Sequence, residues 1–115
     1  MPDARQAHKV LLTAGAKQDL ASIYRYISDF DSMRNANMVL DRLTKVAAGL
    51  STLADHGAFP KELVALGIRR YRQTAFKSYR IIYRVIDDTV VIYLIADGRR
   101  NMQALLARRL LNADR

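Results

Sequence analysis

Apolar residues fall along this chain in two rhythms. Between residues 13 and 54 they recur every three or four positions, and between 69 and 96 they alternate or run together. The first rhythm is that of helices with one buried stripe, the second that of strands. Ahead of both, residues 8–13 (HKVLLT) read as a short strand. Thr13 can cap a helix starting near Gly15, with Ala16, Leu20, Ile23, Ile27 and Phe30 as its stripe and Tyr24 widening it. Residues 29–32 break the pattern, and Asp31 or Ser32 can cap a second helix. Its seam is Met33, Ala36, Leu40, Leu43, Ala47, Leu50 and Ala54, broadened by Val39, Val46 and Leu53. Gly49 weakens this helix, and His56-Gly57 followed by Pro60 ends it. Two striped helices joined by a short polar turn predict an antiparallel hairpin.

The second half carries the strands. Residues 61–67 (KELVALG) read as a single helical turn or an irregular link, followed by strands at 69–75, 78–85 and 89–96. In the middle strand Tyr79, Ile81, Tyr83 and Val85 alternate with Arg80, Ile82 and Arg84, and residues 86–89 make a hairpin turn. VVIYLIA is apolar on both faces and predicts the most buried strand. Residues 101–111 read as a helix with Met102, Leu105, Leu106, Leu110 and Leu111 apolar. The order predicts an α+β fold: an antiparallel sheet of about four strands packed on an N-terminal helical hairpin, with a short C-terminal helix. The other sheet face is then expected to present the arginines. At 115 residues the chain is expected to be one domain, with its core at 8–111.

Charge sharpens this picture. The net charge is +8, and residues 61–115 hold twelve Lys/Arg against five Asp/Glu, whereas residues 1–60 hold seven against six. A basic half set against a nearly neutral one points to an anionic partner, although charge kept for solubility produces the same bias. Arginine's planar fork of donors suits phosphate and carboxylate. The chain has no cysteine, so disulfides and thiolate metal sites are excluded. Its apolar runs are too short to span a bilayer, and MPDARQAHK lacks the apolar core of a secretory signal; the cytoplasm is the expected location. Glycine-rich phosphate loops, metal-spaced His/Asp/Glu clusters and serine–histidine pairs are not evident, and no cofactor, metal or small-molecule substrate is expected.

KEL--LG at 61–67, YRQ at 71–73, YRIIYRV at 79–85, DGRR at 97–100 and the following LLARRLL, behind a helical pair, resemble the RelE/ParE superfamily of toxins from type II toxin–antitoxin systems, plasmid stabilisation proteins among them. The resemblance covers about residues 8–111. Each motif alone is weak, and their order and spacing carry the match. The resemblance implies one of two targets. RelE-like members enter the ribosome and cut messenger RNA, whereas ParE-like members poison DNA gyrase. Both kinds are silenced by an acidic antitoxin that wraps around them.

RNA cleavage at a 2′-hydroxyl needs a base, cations around the phosphate and an acid. By resemblance, Arg80 and Arg100 match the two phosphate-contacting arginines of RelE-like toxins. Arg72 falls where the first of two strand lysines stands. Thr74 replaces the second lysine and Leu106 the tyrosine, so the proton-transfer half is absent at those positions. The catalytic set under an RNase reading is thus Arg80, Arg100 and Arg72. Arg80 and Arg100 can equally brace the fold, and Glu62 can pair with a nearby arginine. Tyr83 is expected to pack on the helices, and His8 and His56 to be structural. The leucines of LLARRLL are expected to pack at the sheet edge, with Arg108 and Arg109 facing either water or a partner.

The leading expectation is a ParE-like toxin that acts by binding DNA gyrase. Its electropositive surface comprises Arg72, Arg80, Arg84, Arg99, Arg100, Arg108 and Arg109, and a cognate acidic antitoxin covers it in a hetero-oligomer. The alternatives are a ribosome-dependent mRNA interferase and a non-toxic nucleic-acid-binding domain. The lack of a DNA-reading helix or an RNA-reading motif counts against the last.

Overall fold

A computed structural model describes residues 7–111. The chain runs from strand β1 (Lys9–Leu12) into helices α1 (Ala14–Phe30) and α2 (Met33–Leu53). A short helical turn α3 (Lys61–Val64) follows, then β2 (Arg72–Phe76), β3 (Tyr79–Ile86) and β4 (Thr89–Asp97). Helix α4 (Met102–Leu106) continues as a wider turn through Ala107–Leu111. Both hairpin helices start on hydroxyl caps. Thr13 Oγ1 accepts from the Ala16 N–H at 3.1 Å and Ser32 Oγ from the Asn35 N–H at 3.0 Å, each satisfying a donor with no partner inside its helix. Asp31 binds the Asn35 side chain instead, at 2.7 Å.

The sheet order is β1-β4-β3-β2, with β1 parallel to β4 and the other pairs antiparallel. The expected α+β architecture is what is found. The apolar strand VVIYLIA lies inside the sheet, flanked by β1 and β3. On one face the hairpin stripes (Ala16, Ile27, Ala36, Val39, Leu43, Ala47, Leu50) meet Ile81, Tyr83, Val90, Ile92 and Ile95 in the main core. Two residues of the expected stripes stay outside it. Phe30 is 76 % exposed and Met33 65 %, because they flank the turn at the hairpin tip, beyond the last core layer at Ile27 and Ala36. Tyr83 is fully buried, as its alternation with Ile81 requires. Its hydroxyl donates to the Ala54 carbonyl at 2.8 Å and accepts from the Gly57 N–H at 3.1 Å, which ties the end of α2 to the sheet.

The opposite face departs from expectation. It is not a bare arginine platform. Leu63 of α3 and Met102, Leu106 and Leu110 of the C-terminal segment cover Tyr71, Ile82, Leu94 and Ala96 in a second core. Most of the alternating positions of β3 and β4 on that side are apolar, so the face must be covered to keep them from water. The C-terminal leucines therefore pack across the face rather than along the edge. The two cores are phased by a bulge. Register holds from Tyr79↔Asp97 to Ile82↔Leu94, then Tyr83 pairs with Ile92 and Tyr93 has no opposite residue. The inserted residue lets both Tyr93 and Leu94 serve the second core while Ile92 and Ile95 serve the first.

Candidate functional site

The arginines singled out in the sequence divide sharply in the structure. Arg80 lies on β3 next to α3, where Nη1 and Nη2 donate to Glu62 Oε2 and Oε1, each at 2.9 Å, as a bidentate pair. Its Nε donates to Gln73 Oε1 at 2.8 Å, and its Nη2 reaches the same oxygen. Both side chains of the ion pair are 14 % exposed. Hydrogen bonding from Arg80 overrides the burial that would raise the Glu62 pKa and holds this carboxyl at about 2. The Arg80 stem crosses Gly98, where a Cβ would stand 2.7 Å from Arg80 Cδ and 3.2 Å from the Ser78 carbonyl oxygen. Glycine is what lets the chain after β4 pass so close.

Arg72 sits on the other side of the sheet. It pairs with Tyr83 across β2 and β3, whereas Gln73 pairs with Ile82, so Arg72 shares the hairpin face and Arg80 does not. Its Nη1 donates to the Gly57 carbonyl at 2.8 Å, and its guanidinium stands 4.7 Å from the centre of the Phe59 ring. The residues expected to grip one phosphate together are therefore separated by the thickness of the sheet. Leu106, in the position expected for a proton donor, is buried in the second core.

Two further arginines are paired. Arg99 is exposed and binds Asp97, with Nε 2.9 Å from Oδ1 and Nη2 2.5 Å from Oδ2, and this hydrogen bonding lowers the Asp97 pKa. Arg109 returns from the C-terminal turn to α1. Its Nη1 and Nη2 meet Asp19 Oδ2 and Oδ1 at 2.9 and 3.0 Å, and Nη1 also donates to the Tyr93 carbonyl at 2.8 Å. Asp19 Oδ2 in turn accepts from the Ile95 N–H at 2.9 Å. The hydrogen bond to Asp19 raises the Arg109 pKa. The sequence reading did not single out Asp19. A signal was available, because the residue falls three after Ala16 and four before Ile23, in phase with the α1 stripe, where a carboxylate needs a partner.

Arg84, Arg100 and Arg108 are not salt-bridged to any described carboxylate; Arg100 and Arg108 are exposed and Arg84 half-buried. Arg99, Arg100, Arg108 and Arg109 converge around a cleft of about 670 Å³ between α1, the end of β4 and the C-terminal turn. Its floor is apolar, made by Ile23, Ile27, Ile95 and Leu105, and Tyr26 and Tyr79 stand at its side. Burial raises the Tyr79 pKa, with the Asp97 charge adding to it, so the phenol keeps its proton. This concavity is the place where cations, apolar surface and main chain come together.

A model of the family described as ParE toxin of type II toxin–antitoxin system, parDE, matches residues 10–102. Toxin ParE3 of Caulobacter vibrioides is 28 % identical over 101 residues, covering 88 % of this chain and 97 % of the relative. Among solved structures, the chromosomal ParDE toxin–antitoxin system from P. aeruginosa superposes with a TM-score of 0.67 at 17 % identity, over 79 % of this chain and 96 % of that one. The toxin–antitoxin complex RelBE2 from Mycobacterium tuberculosis gives a TM-score of 0.60 at 21 % identity, over 84 % and 97 %. These two structural likenesses attest the fold.

Proposed function

The chain belongs to the ParE toxin family of type II toxin–antitoxin systems, and on that premise we propose that it arrests growth by binding DNA gyrase in the cytoplasm and is silenced by a cognate acidic antitoxin. Binding, without cofactor or bond cleavage, is the action the geometry favours. The observation that carries this is the position of Arg80: its guanidinium is engaged by Glu62 and Gln73, and Arg72 lies across the sheet from it. A phosphate-gripping cage built from Arg72, Arg80 and Arg100 would require breaking a bidentate ion pair. The exposed cations Arg100 and Arg108, with Arg84 on β3, supply an electropositive surface for an acidic partner. Assembly with the antitoxin into a hetero-oligomer follows from that complementarity.

The test is expression of the chain without its partner. Growth should stop, and DNA supercoiling by gyrase should fall in the presence of purified protein while messenger RNA ends stay unchanged. Codon-linked cleavage of messenger RNA with unaffected gyrase would replace this reading with the ribosome-dependent nuclease. Normal growth with soluble protein accumulating would remove both toxin readings.

A further inference from the structure

The sheet edge farthest from the cleft carries a second group of cations. Strand β2 is the outermost strand on that side, and it starts at Arg72 opposite Tyr83, at the end of the sheet away from Asp97. Arg69, Arg70 and Arg72 lead the chain into it. Two of them share one ring. The Arg72 guanidinium stands 4.7 Å and the Arg69 guanidinium 5.8 Å from the centre of the Phe59 ring, and Arg72 is fixed further by its 2.8 Å bond to the Gly57 carbonyl. The Arg70 guanidinium stands 5.8 Å from the centre of the Tyr71 ring, which meets Tyr93 edge-on at 5.5 Å.

Like charges held this close repel one another unless an anion lies between them. Among the described residues none of the three arginines is salt-bridged to a carboxylate. Glu62 is committed to Arg80, and Asp55, just past α2, is exposed and makes no ion pair with them. Aromatic rings therefore fix these guanidiniums in place without neutralising them. Both Arg69 and Arg72 lie over the Phe59 ring, so the ring braces cations and is not a free platform for an unpaired base. What the corner offers is donors in fixed planes, the match for phosphate oxygens. We infer that this corner of the sheet binds the phosphate backbone of duplex DNA, with Arg69 and Arg72 on the phosphates and Arg70 beside them. Duplex DNA presents one phosphate charge per about 1.7 Å of its axis, a density that an acidic protein segment does not reach. The contact reads backbone and not sequence. Choosing DNA over RNA rests on the function proposed above, since a toxin seated on gyrase meets the DNA that gyrase holds, but the phosphate site itself does not.

The probe is a fluorescein-labelled 20-base-pair duplex DNA, titrated by anisotropy against the full chain over a range of salt concentrations. Arg69→Gln with Arg72→Gln should weaken binding about tenfold or more and lower the salt slope by about two. R25Q/R34Q removes the same charge from exposed positions on the helical hairpin and should change binding less than about twofold and leave the slope as it is. Phe59→Leu keeps the apolar bulk, frees the guanidiniums, and should weaken binding about threefold. Thermal melts establish that each variant is folded, and R69Q/R70Q, which spares the Gly57 bond, keeps the test open if R69Q/R72Q is not. Equal losses in the corner and hairpin variants would overturn the proposal. So would tighter binding of an RNA duplex of the same sequence, or of a glutamate peptide through Arg69 and Arg72. A chain that binds the duplex through this corner but leaves gyrase unaffected would sink the proposed target and keep the phosphate site. One that inhibits gyrase without corner-dependent DNA binding would do the reverse.

Discussion

At the scale of single residues, charge pairing decides which arginines serve the fold. Glu62 has its pKa depressed from 4.5 to about 2 by Arg80, so it carries more protons unfolded than folded as pH falls through that window. The pair's contribution is complete above pH 4.5 and disappears as pH drops toward about 2. Arg80→Ala is expected to cost about 1–2 kcal/mol at neutral pH, a figure held down by solvent at the rim of the pair. Urea melts of wild type and variant should therefore converge as the pH is lowered from about 6 to about 3. A gap that stays constant would show that Glu62 is not the partner that matters. Gly57 gives a second residue-scale prediction. A Cβ there would stand 2.8 Å from the Gln73 carbonyl oxygen and would collide with the Tyr83 hydroxyl. Gly57→Ala should cost about 2 kcal/mol or more, read from the urea midpoint. The sequence let Glu62 pair with some nearby arginine and left Arg80 open between bracing the fold and meeting a partner, but it did not join the two. The role of Gln73 was not legible, because a strand glutamine carries no mark of the partner it faces until register is set.

Secondary-structure elements were more legible than their contacts. Thr13 declares the first helix start through a local hydrogen bond, and of the two caps the sequence offered for the second, Asp31 and Ser32, it is Ser32 that accepts from the helix. Gly49 was read as a weak point of α2, and a Cβ at that position meets nothing within 4 Å. Gly49→Ala should raise stability by about 0.5–1 kcal/mol, since alanine gains helix propensity without a clash. A fall in the melting temperature would refute that account of the site. At the junction of α1, β4 and the C-terminal turn, Asp19→Ala leaves the Ile95 N–H and Arg109 without their shared partner. The expected loss is about 1–3 kcal/mol, with faster hydrogen exchange at Ile95 and at the Ala107–Leu111 turn before global unfolding. Unchanged exchange at those amides would show that the turn is held by its leucines alone. The bulge at Tyr93 had no sequence signature, because VVIYLIA is apolar whichever way each side chain points.

For the whole molecule, the uneven charge of the two halves makes an electrostatic prediction. Residues 61–115 hold most of the net charge, and the cations there that are not salt-bridged to any described carboxylate include Arg100 and Arg108 beside the cleft. Association with an acidic partner should slow markedly as salt rises from about 50 to about 500 mM, with a smaller change in dissociation. Stopped-flow mixing measures both rates, and a salt-independent association rate would show that charge does not steer the encounter. The same scale explains why the sheet is not a one-sided platform. A sheet apolar on both faces must be covered twice, by the hairpin on one and by α3 with the C-terminal segment on the other.

Periodicity, caps and the change from a helical to a strand rhythm settled the kind and order of the elements from sequence alone, residues 61–67 excepted, because each depends on residues close together in the chain. Tertiary structure alone decided which arginine meets which carboxylate, that Arg72 and Arg80 lie on opposite faces, and that β4 outruns β1 beside a cleft. Those outcomes depend on register and on contacts between residues as far apart as Asp19 and Arg109, and a guanidinium looks the same in the sequence whether it will brace the fold or await a partner.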